Sequence, residues 1–450
     1  MPTTLDCELL RDLYGTSEMR AIFDSRALVQ AWLDVERALA EAEAEVGVIP
    51  DWAATRIAEE CQASHFDLAA LRAGIAASKH PLVPLVVALG NRCGEAGAYV
   101  HWGTTTQDVV DTALVLQGRA ALAPIGRDIE RSLRAACELA LRHRETPMAG
   151  RTHGQHAVPI TFGLKAAAWA DELGRARDRL DRTAGTALVA QLSGAAGSLA
   201  ALGDHAAAVQ EAFCRLLNLP RADVHWHATR DRLRDLAHAL AEVAAAAERI
   251  GSEIIRLQST EISEVFEPTT DAHVGSSTMP QKRNPMTSEY IVASARLLRA
   301  HTDVLTHSPA PAHERDMGPW AAEWLAVPSA FILCGGVVAK LAAVLEGLEV
   351  DEEQMRRNLD LTSGQIMAEA VMMALAPELG REPAHTLLTA ATRRAEAEGR
   401  SLGDVLSDEP LVSTHLSAEN LEQLLDPTAY FGLATSSVDA VVERYGSPVA

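Results

Sequence analysis

The residues with the clearest capacity for chemistry lie in one run, Gly275-Ser276-Ser277-Thr278-Met279-Pro280-Gln281-Lys282-Arg283-Asn284-Pro285. Two prolines and a leading glycine exclude a regular helix or strand across it, and helical patterns lie on both sides. A loop of this length inside a helical region is typically functional or disordered. Gly-Ser-Ser-Thr alone would suit disorder. Met-Pro-Gln-Lys-Arg-Asn-Pro adds a cation, a guanidinium and an amide to two hydroxyls and backbone donors. Such an inventory suits holding a small anion and abstracting a proton from it. Arg283 reads best as a solvated loop residue.

Four other segments carry polar groups at useful spacing. His101-Trp102-Gly103-Thr104-Thr105-Thr106-Gln107-Asp108 precedes the apolar Val109, Val110, Ala113, Leu114 and Leu116. Its plain reading is an N-cap. The same geometry offers free amides, with the hydroxyls of Thr105 and Thr106, to a carboxylate. Arg151-Thr152-His153-Gly154-Gln155-His156 reads as a polar turn before Pro159 and a helix. Its histidine pair has no acid or thiol nearby in sequence to complete a metal site, so neither metal nor cofactor is expected. Gln191-Leu192-Ser193-Gly194-Ala195-Ala196-Gly197 is a tight helix junction that either packs helices at its glycines or presents Gln191 and Ser193. His313-Glu314-Arg315-Asp316, with Trp320, Glu323 and Trp324, has the plain reading of an ion-paired helix start.

Taken together, Gly-Ser-Ser-x-Met-Pro-x-Lys-x-Asn-Pro at 275–285 resembles the signature loop of the fumarase/aspartase superfamily. Its members remove a group anti from a succinyl skeleton, mostly releasing fumarate. The 101–108 segment resembles the superfamily's first signature segment, with Thr106 where serine is usual. Thr152-His153-Gly154-Gln155 looks like the second segment of the adenylosuccinate and argininosuccinate lyases. The resemblance implies that Ser276 is the general base for the Cβ proton, with Ser277 as the other candidate. It implies that His153 protonates a leaving nitrogen, although His156 could hold that role. Lys282 and Asn284 would stabilise the enediolate. Thr105, Thr106, Thr152, Arg20, Gln191, Ser193 and Arg315 would bind substrate. Histidine suits a proton donor because its pKa lies near physiological pH, and donors preorganised for the enediolate would supply most of the acceleration.

The elements that must position these residues read as helices. The chain has 450 residues, 48% hydrophobic and 22% charged, with aromatics at only 4%, which fits packed helices rich in alanine and leucine. Leu28, Trp32, Val35 and Leu39 step by four, three and four, between a cap at Asp24 or Ser25 and stops at Gly47 and Pro50. Residues 52 to 98 read as shorter helices, broken at His80-Pro81. Phe162 to Leu180 and Leu233 to Leu257 carry heptad-like seams, the mark of helices packed nearly parallel in a bundle. Shorter helices follow over Glu352–Leu359, Gly364–Ala376 and Ala384–Glu398. No strand alternation stands out. The expected fold is all-α in three parts: residues 1–108, a central long-helix bundle over 109–348, and a small helical domain over 349–450. The resemblance implies a homotetramer whose twenty-helix core pools the middle helices, with each site assembled from three subunits.

A net charge of -21 and a pI near 5.2 argue against nucleic-acid binding, but not against a small dicarboxylate substrate in a locally basic cleft. Six scattered cysteines, no visible signal peptide and no apolar run of about 18 residues fit reduced thiols in a cytoplasmic protein with no membrane partner. Val327 to Val338 comes nearest to a span, interrupted by Pro328 and two glycines.

The entry segment, residues 66–89, His225–Arg232 and the Asp426-Pro427-x-x-Tyr430 tail look most like bacterial 3-carboxy-cis,cis-muconate cycloisomerases. Those enzymes typically lack the acid histidine and carry histidine where Gln281 stands. Because His153 is retained, the expected function is a C–N lyase. It would cleave an N-substituted aspartate or other 2-substituted succinate to fumarate. The alternative is the lactonising cycloisomerase, with adenylosuccinate lyase or a non-catalytic structural homologue further behind.

Overall fold

The computed structural model describes residues 7–269, 279, 281–307 and 311–446. Helix dominates it, as expected. The first long helix runs Ser25–Val46. Asp24 caps it by accepting from the Arg26 and Ala27 amides at 2.8 Å, and Gly47 ends it with a φ of 81°. Long helices then span Thr106–Arg142, Phe162–Ala187, Asp231–Leu257, Met286–Thr306 and Met317–Glu346. Shorter ones near the end run Glu352–Leu359, Ala368–Leu379 and Arg381–Glu398.

The chain divides into two compact units, one of Met1–Ile129, Ala176–Ala247 and Tyr290–Ala339, the other of Glu130–Arg175, Glu248–Glu289 and Lys340–Ala450. In the first unit, Gly336 lies against the backbone of Tyr14 and Gly15. A Cβ there would stand 2.5 Å from the Tyr14 carbonyl oxygen. In the second, Gly163 touches the carbonyls of Ala140 and His143, so the Phe162–Ala187 helix starts hard against the preceding one. Phe162 and Trp169 pack edge to face inside this unit and are fully buried.

Three sequence readings are corrected. Strands do occur: β1 (Pro147–Thr152) pairs antiparallel with β2 (Gln155–Thr161), and β3 (Val265–Phe266) with β4 (Glu349–Val350). They are short enough to leave the all-α class intact. The Leu233–Leu257 seam, which reads in the sequence as exposing more apolar length than one chain needs, is buried throughout, from Leu233 at 2% exposure to Ile254 at 0%, so its apolar length does not itself require another subunit. Pro328 and the two glycines do not interrupt the Met317–Glu346 helix. By length and composition this helix could cross a membrane, yet 72% of its apolar window is buried within the protein. All six cysteines are unpaired, and five are buried.

Candidate active site

In the first unit the Thr106–Arg142 helix starts from a turn whose His101 and Gly103 have φ of 60° and 68°. Burial opposes charge on the His101 imidazole. The Glu36 carboxylate, 2.6 Å from Nδ1, overcomes it and raises the pKa above the ordinary histidine value. Asp108, in the first turn of the helix, reaches back to the Thr105 amide and the Thr104 hydroxyl, both at 3.2 Å. This is the acid half of a capping box, with aspartate in the acid position. The same carboxylate accepts from the amides of Ser193 at 3.0 Å and Gly194 at 2.8 Å, and His227 Nε2 lies 2.8 Å away. Asp108 is fully buried.

The neighbours are equally tied. Thr112 Oγ1 bonds both the amide and the carbonyl of Gln191, each at 2.9 Å. Gln191 Oε1 accepts from the Trp226 amide at 3.1 Å, while Gln191 Nε2 is buried with no partner among the described residues. Arg315 donates Nε to Gln107 Oε1 at 3.0 Å and Nη2 to the Ala195 carbonyl at 2.9 Å. Gln107 in turn donates to the His227 carbonyl at 2.9 Å. One turn beyond Asp108, Asp111 receives both terminal nitrogens of Arg230, which also binds Glu323 and stacks over Trp226 at 4.9 Å. Burial raises the Glu323 pKa, with Arg230 opposing. Two buried pairs therefore pin residues 226–230 to one helix face.

Thr106 Oγ1 lies 3.4 Å from His80 Nε2. The Val83 amide donates to His80 Nδ1, which leaves the ring hydrogen on Nε2, directed at Thr106. Arg20 is held against the Arg11 carbonyl, with Asp12 at 3.7 Å.

In the second unit β1 and β2 form a hairpin whose two-residue turn is His153-Gly154, at φ of 52° and 75°. Both signs are positive, the requirement of a type I′ turn, and glycine suits the second place. The register sets Arg151 opposite His156 and Thr152 opposite Gln155, with an irregularity between Ala149 and Arg151. Thr152 and His153 are exposed at the tip. Beneath it Arg151 grips the buried Glu264 through two bonds of 2.9 and 2.6 Å, and Asn358 donates to the same carboxylate at 2.7 Å. Burial, then the charge of Arg151, lowers the pKa of His156.

The exit of the signature loop lies in this unit too. Lys282 is exposed and Asn284 half-buried. Arg283 is exposed, as the sequence reading has it, but it is also tied. It pairs with Glu349 at 2.9 and 3.0 Å, stacks over Phe266 at 4.8 Å and donates to the Glu267 carbonyl. Glu267 caps the Met286–Thr306 helix through the amides of Thr287 and Ser288. Ser276 and Ser277 lie outside the described residues.

Thus Thr105, Thr106, Gln191, Ser193 and Arg315 gather in the first unit, while Thr152 and His153 share a hairpin tip and Lys282 and Asn284 a loop exit in the second. Sequence reasoning gave no role to Asp108, His227, His80 or Gln107. Only Asp108 had a local signal, its place three residues after Thr105.

A family model described as Lyase matches residues 14–297, and one described as Adenylosuccinate lyase C-terminus matches residues 364–441. The chain belongs to this lyase family, within the fumarase/aspartase superfamily. It is 42% identical to the 3-carboxy-cis,cis-muconate cycloisomerase of Bradyrhizobium diazoefficiens, over 97% of both chains. It is 37% identical to the N-acetyl-S-(2-succino)cysteine lyase of Dickeya dadantii, over 98% of this chain and 97% of that one. The crystal structure of the 3-carboxy-cis,cis-muconate lactonizing enzyme from Pseudomonas putida superposes with a TM-score of 0.93 at 43% identity, covering 98% of this chain and all of that one. These likenesses overturn the expectation of a C–N lyase releasing fumarate and favour the lactonising alternative. The error came from His153: an imidazole able to protonate a leaving nitrogen does not establish that a nitrogen leaves.

Proposed function

We propose that this enzyme is a cycloisomerase that lactonises a cis,cis-muconate bearing a third carboxylate. The observation that carries this reading is the likeness to cycloisomerases along nearly the whole chain, both units included. The reaction is an isomerisation. One carboxylate oxygen adds to the alkene carbon β to another carboxylate. The π electrons move onto that carboxylate as an enediolate, and the α carbon then takes a proton. No group leaves, so no acid is needed for a departing amine.

On this reading Ser276, or Ser277, delivers the carbon-bound proton, and Lys282 and Asn284 stabilise the enediolate. Thr105, Thr106 and Thr152 supply donors to the substrate carboxylates. Arg20, Gln191, Ser193 and Arg315 complete the binding set, and the surface of Thr105 and Thr106 is backed by Asp108. The active form is a cytoplasmic homotetramer, with each site drawn from three subunits and each chain in three parts. The test is to mix purified protein with 3-carboxy-cis,cis-muconate and follow loss of the conjugated diene absorbance, identifying the lactone by NMR. Absence of lactone, together with fumarate release from a 2-succinylated thiol, overturns the reading.

A further inference from the structure

Asp108 accepts from three segments far apart in sequence: its own helix start, the Ser193-Gly194 turn and His227. Its side chain and that of His227 are both fully buried, so neither meets solvent or a ligand directly. An acceptor-only carboxylate requires a hydrogen on His227 Nε2. His227 Nδ1 is buried with no hydrogen-bond partner among the described residues. Among the described residues the chain therefore holds this ring by its Nε2 end alone. That asymmetry assigns the function of the ring to its Asp108 end.

We propose that Asp108 and His227 form a positioning pair for the carboxylate-binding half of the site. The pair sets the spacing between the Thr105 and Thr106 donors and the Ser193-Gly194 turn. It would thereby govern how tightly a substrate carboxylate is held, acting through these neighbours. The use of the site rests on the cycloisomerase reading; the positioning itself does not.

Amide shapes separate the two ends of the ring. Glutamine places an N–H near the histidine Nε2 position, and asparagine near Nδ1. His227→Gln keeps the donor to Asp108, while His227→Asn and His227→Ala remove it. Two readouts are taken on the full-length enzyme: amide hydrogen exchange of the 103–108 and 191–195 segments, and KM and kcat for 3-carboxy-cis,cis-muconate. Loss of a donor to a buried carboxylate is worth roughly 1–3 kcal/mol, so KM should rise about five- to hundredfold in His227→Ala and His227→Asn, with a smaller change in kcat. Exchange in both segments should quicken by a similar factor. His227→Gln should recover most of both. Asp108→Asn, which sets a donor amide among five donors, should resemble His227→Ala.

Equal defects in His227→Gln and His227→Ala overturn the proposal, because the ring would then act through Nδ1 or its bulk. Quickened exchange with unchanged KM also overturns it. If the unaltered enzyme forms no lactone, the functional reading fails, and the exchange arm still decides whether the pair positions these segments.

Discussion

The candidate residues held in the first unit and those held in the second, two halves of the candidate set, are built on opposite principles. Around Asp108 the donors of Ser193, Gly194 and His227 are buried and matched to its carboxylate, and these ties run between segments more than eighty residues apart. Around His153 and Lys282 the chemistry-bearing side chains stand in solvent, and the matched groups lie beneath them. There Arg151 and Glu264 support the hairpin, while Arg283 and Glu267 fasten the loop exit. On the proposed reading the first half contributes a stiff binding geometry, and the second presents reactive groups from firm foundations. A substitution should therefore act through stability and binding in the first half, and through turnover in the second.

The sharpest way to break this contrast is Asp108→Ala. It strips the acceptor from several buried donors at once and should cost roughly 3–5 kcal/mol of folding stability, measured by urea denaturation. A loss below about 1 kcal/mol would mean the first half is not stiffened by this carboxylate. Lys282→Met is the counterpart. Its exposed ammonium should leave stability nearly unchanged while kcat falls about 10²- to 10³-fold, the usual worth of one donor to developing charge. Steady-state kinetics beside a thermal melt separates the two effects.

The halves should also respond oppositely to pH. Glu43 of the first unit is fully buried with neither carboxylate oxygen partnered among the described residues, and burial, then Glu36, pushes its pKa up from 4.5 to about 9. Its folded form keeps a proton that the unfolded chain releases. Stability from this group is thus full below pH 4.5 and declines as pH rises toward 9. His156 of the second unit has a lowered pKa, so its contribution is present above the ordinary 6.5 and declines as pH falls. Glu43→Gln should flatten the alkaline decline and leave the acid side unchanged. Denaturation midpoints across pH check this, and an unaltered alkaline slope would contradict it.

The smallest effect is expected at His153→Asn. Lactonisation expels no amine, so the change should stay within a few-fold, against roughly 10²–10⁴ for a true general acid. A large kcat deficit on carboxymuconate would return His153 to the centre of the chemistry.

Features governed by neighbours in sequence were legible beforehand. The cap at Asp24, the stop at Gly47 and the stepping of Leu28, Trp32, Val35 and Leu39 follow from a period of 3.6 residues and from local hydrogen bonding. The hairpin at 147–161 was missed although its turn is local. His-Gly is a less familiar type I′ pair than Asn-Gly, and the strands do not alternate cleanly, being buried on both faces over Pro147 to Gly150.

The sequence by itself determined the helical class, the helices through Leu28–Leu39, Phe162–Leu180 and Leu233–Leu257, and the family, since each depends on residues within a few turns or on a contiguous loop. Tertiary structure decided which polar residues meet. Asp108 and His227 are 119 positions apart, and Arg151 and Glu264 are 113. No local period connects such pairs. They are joined because a buried carboxylate is stable only where folding brings donors to it, and those donors arrive from wherever the packed helices place them.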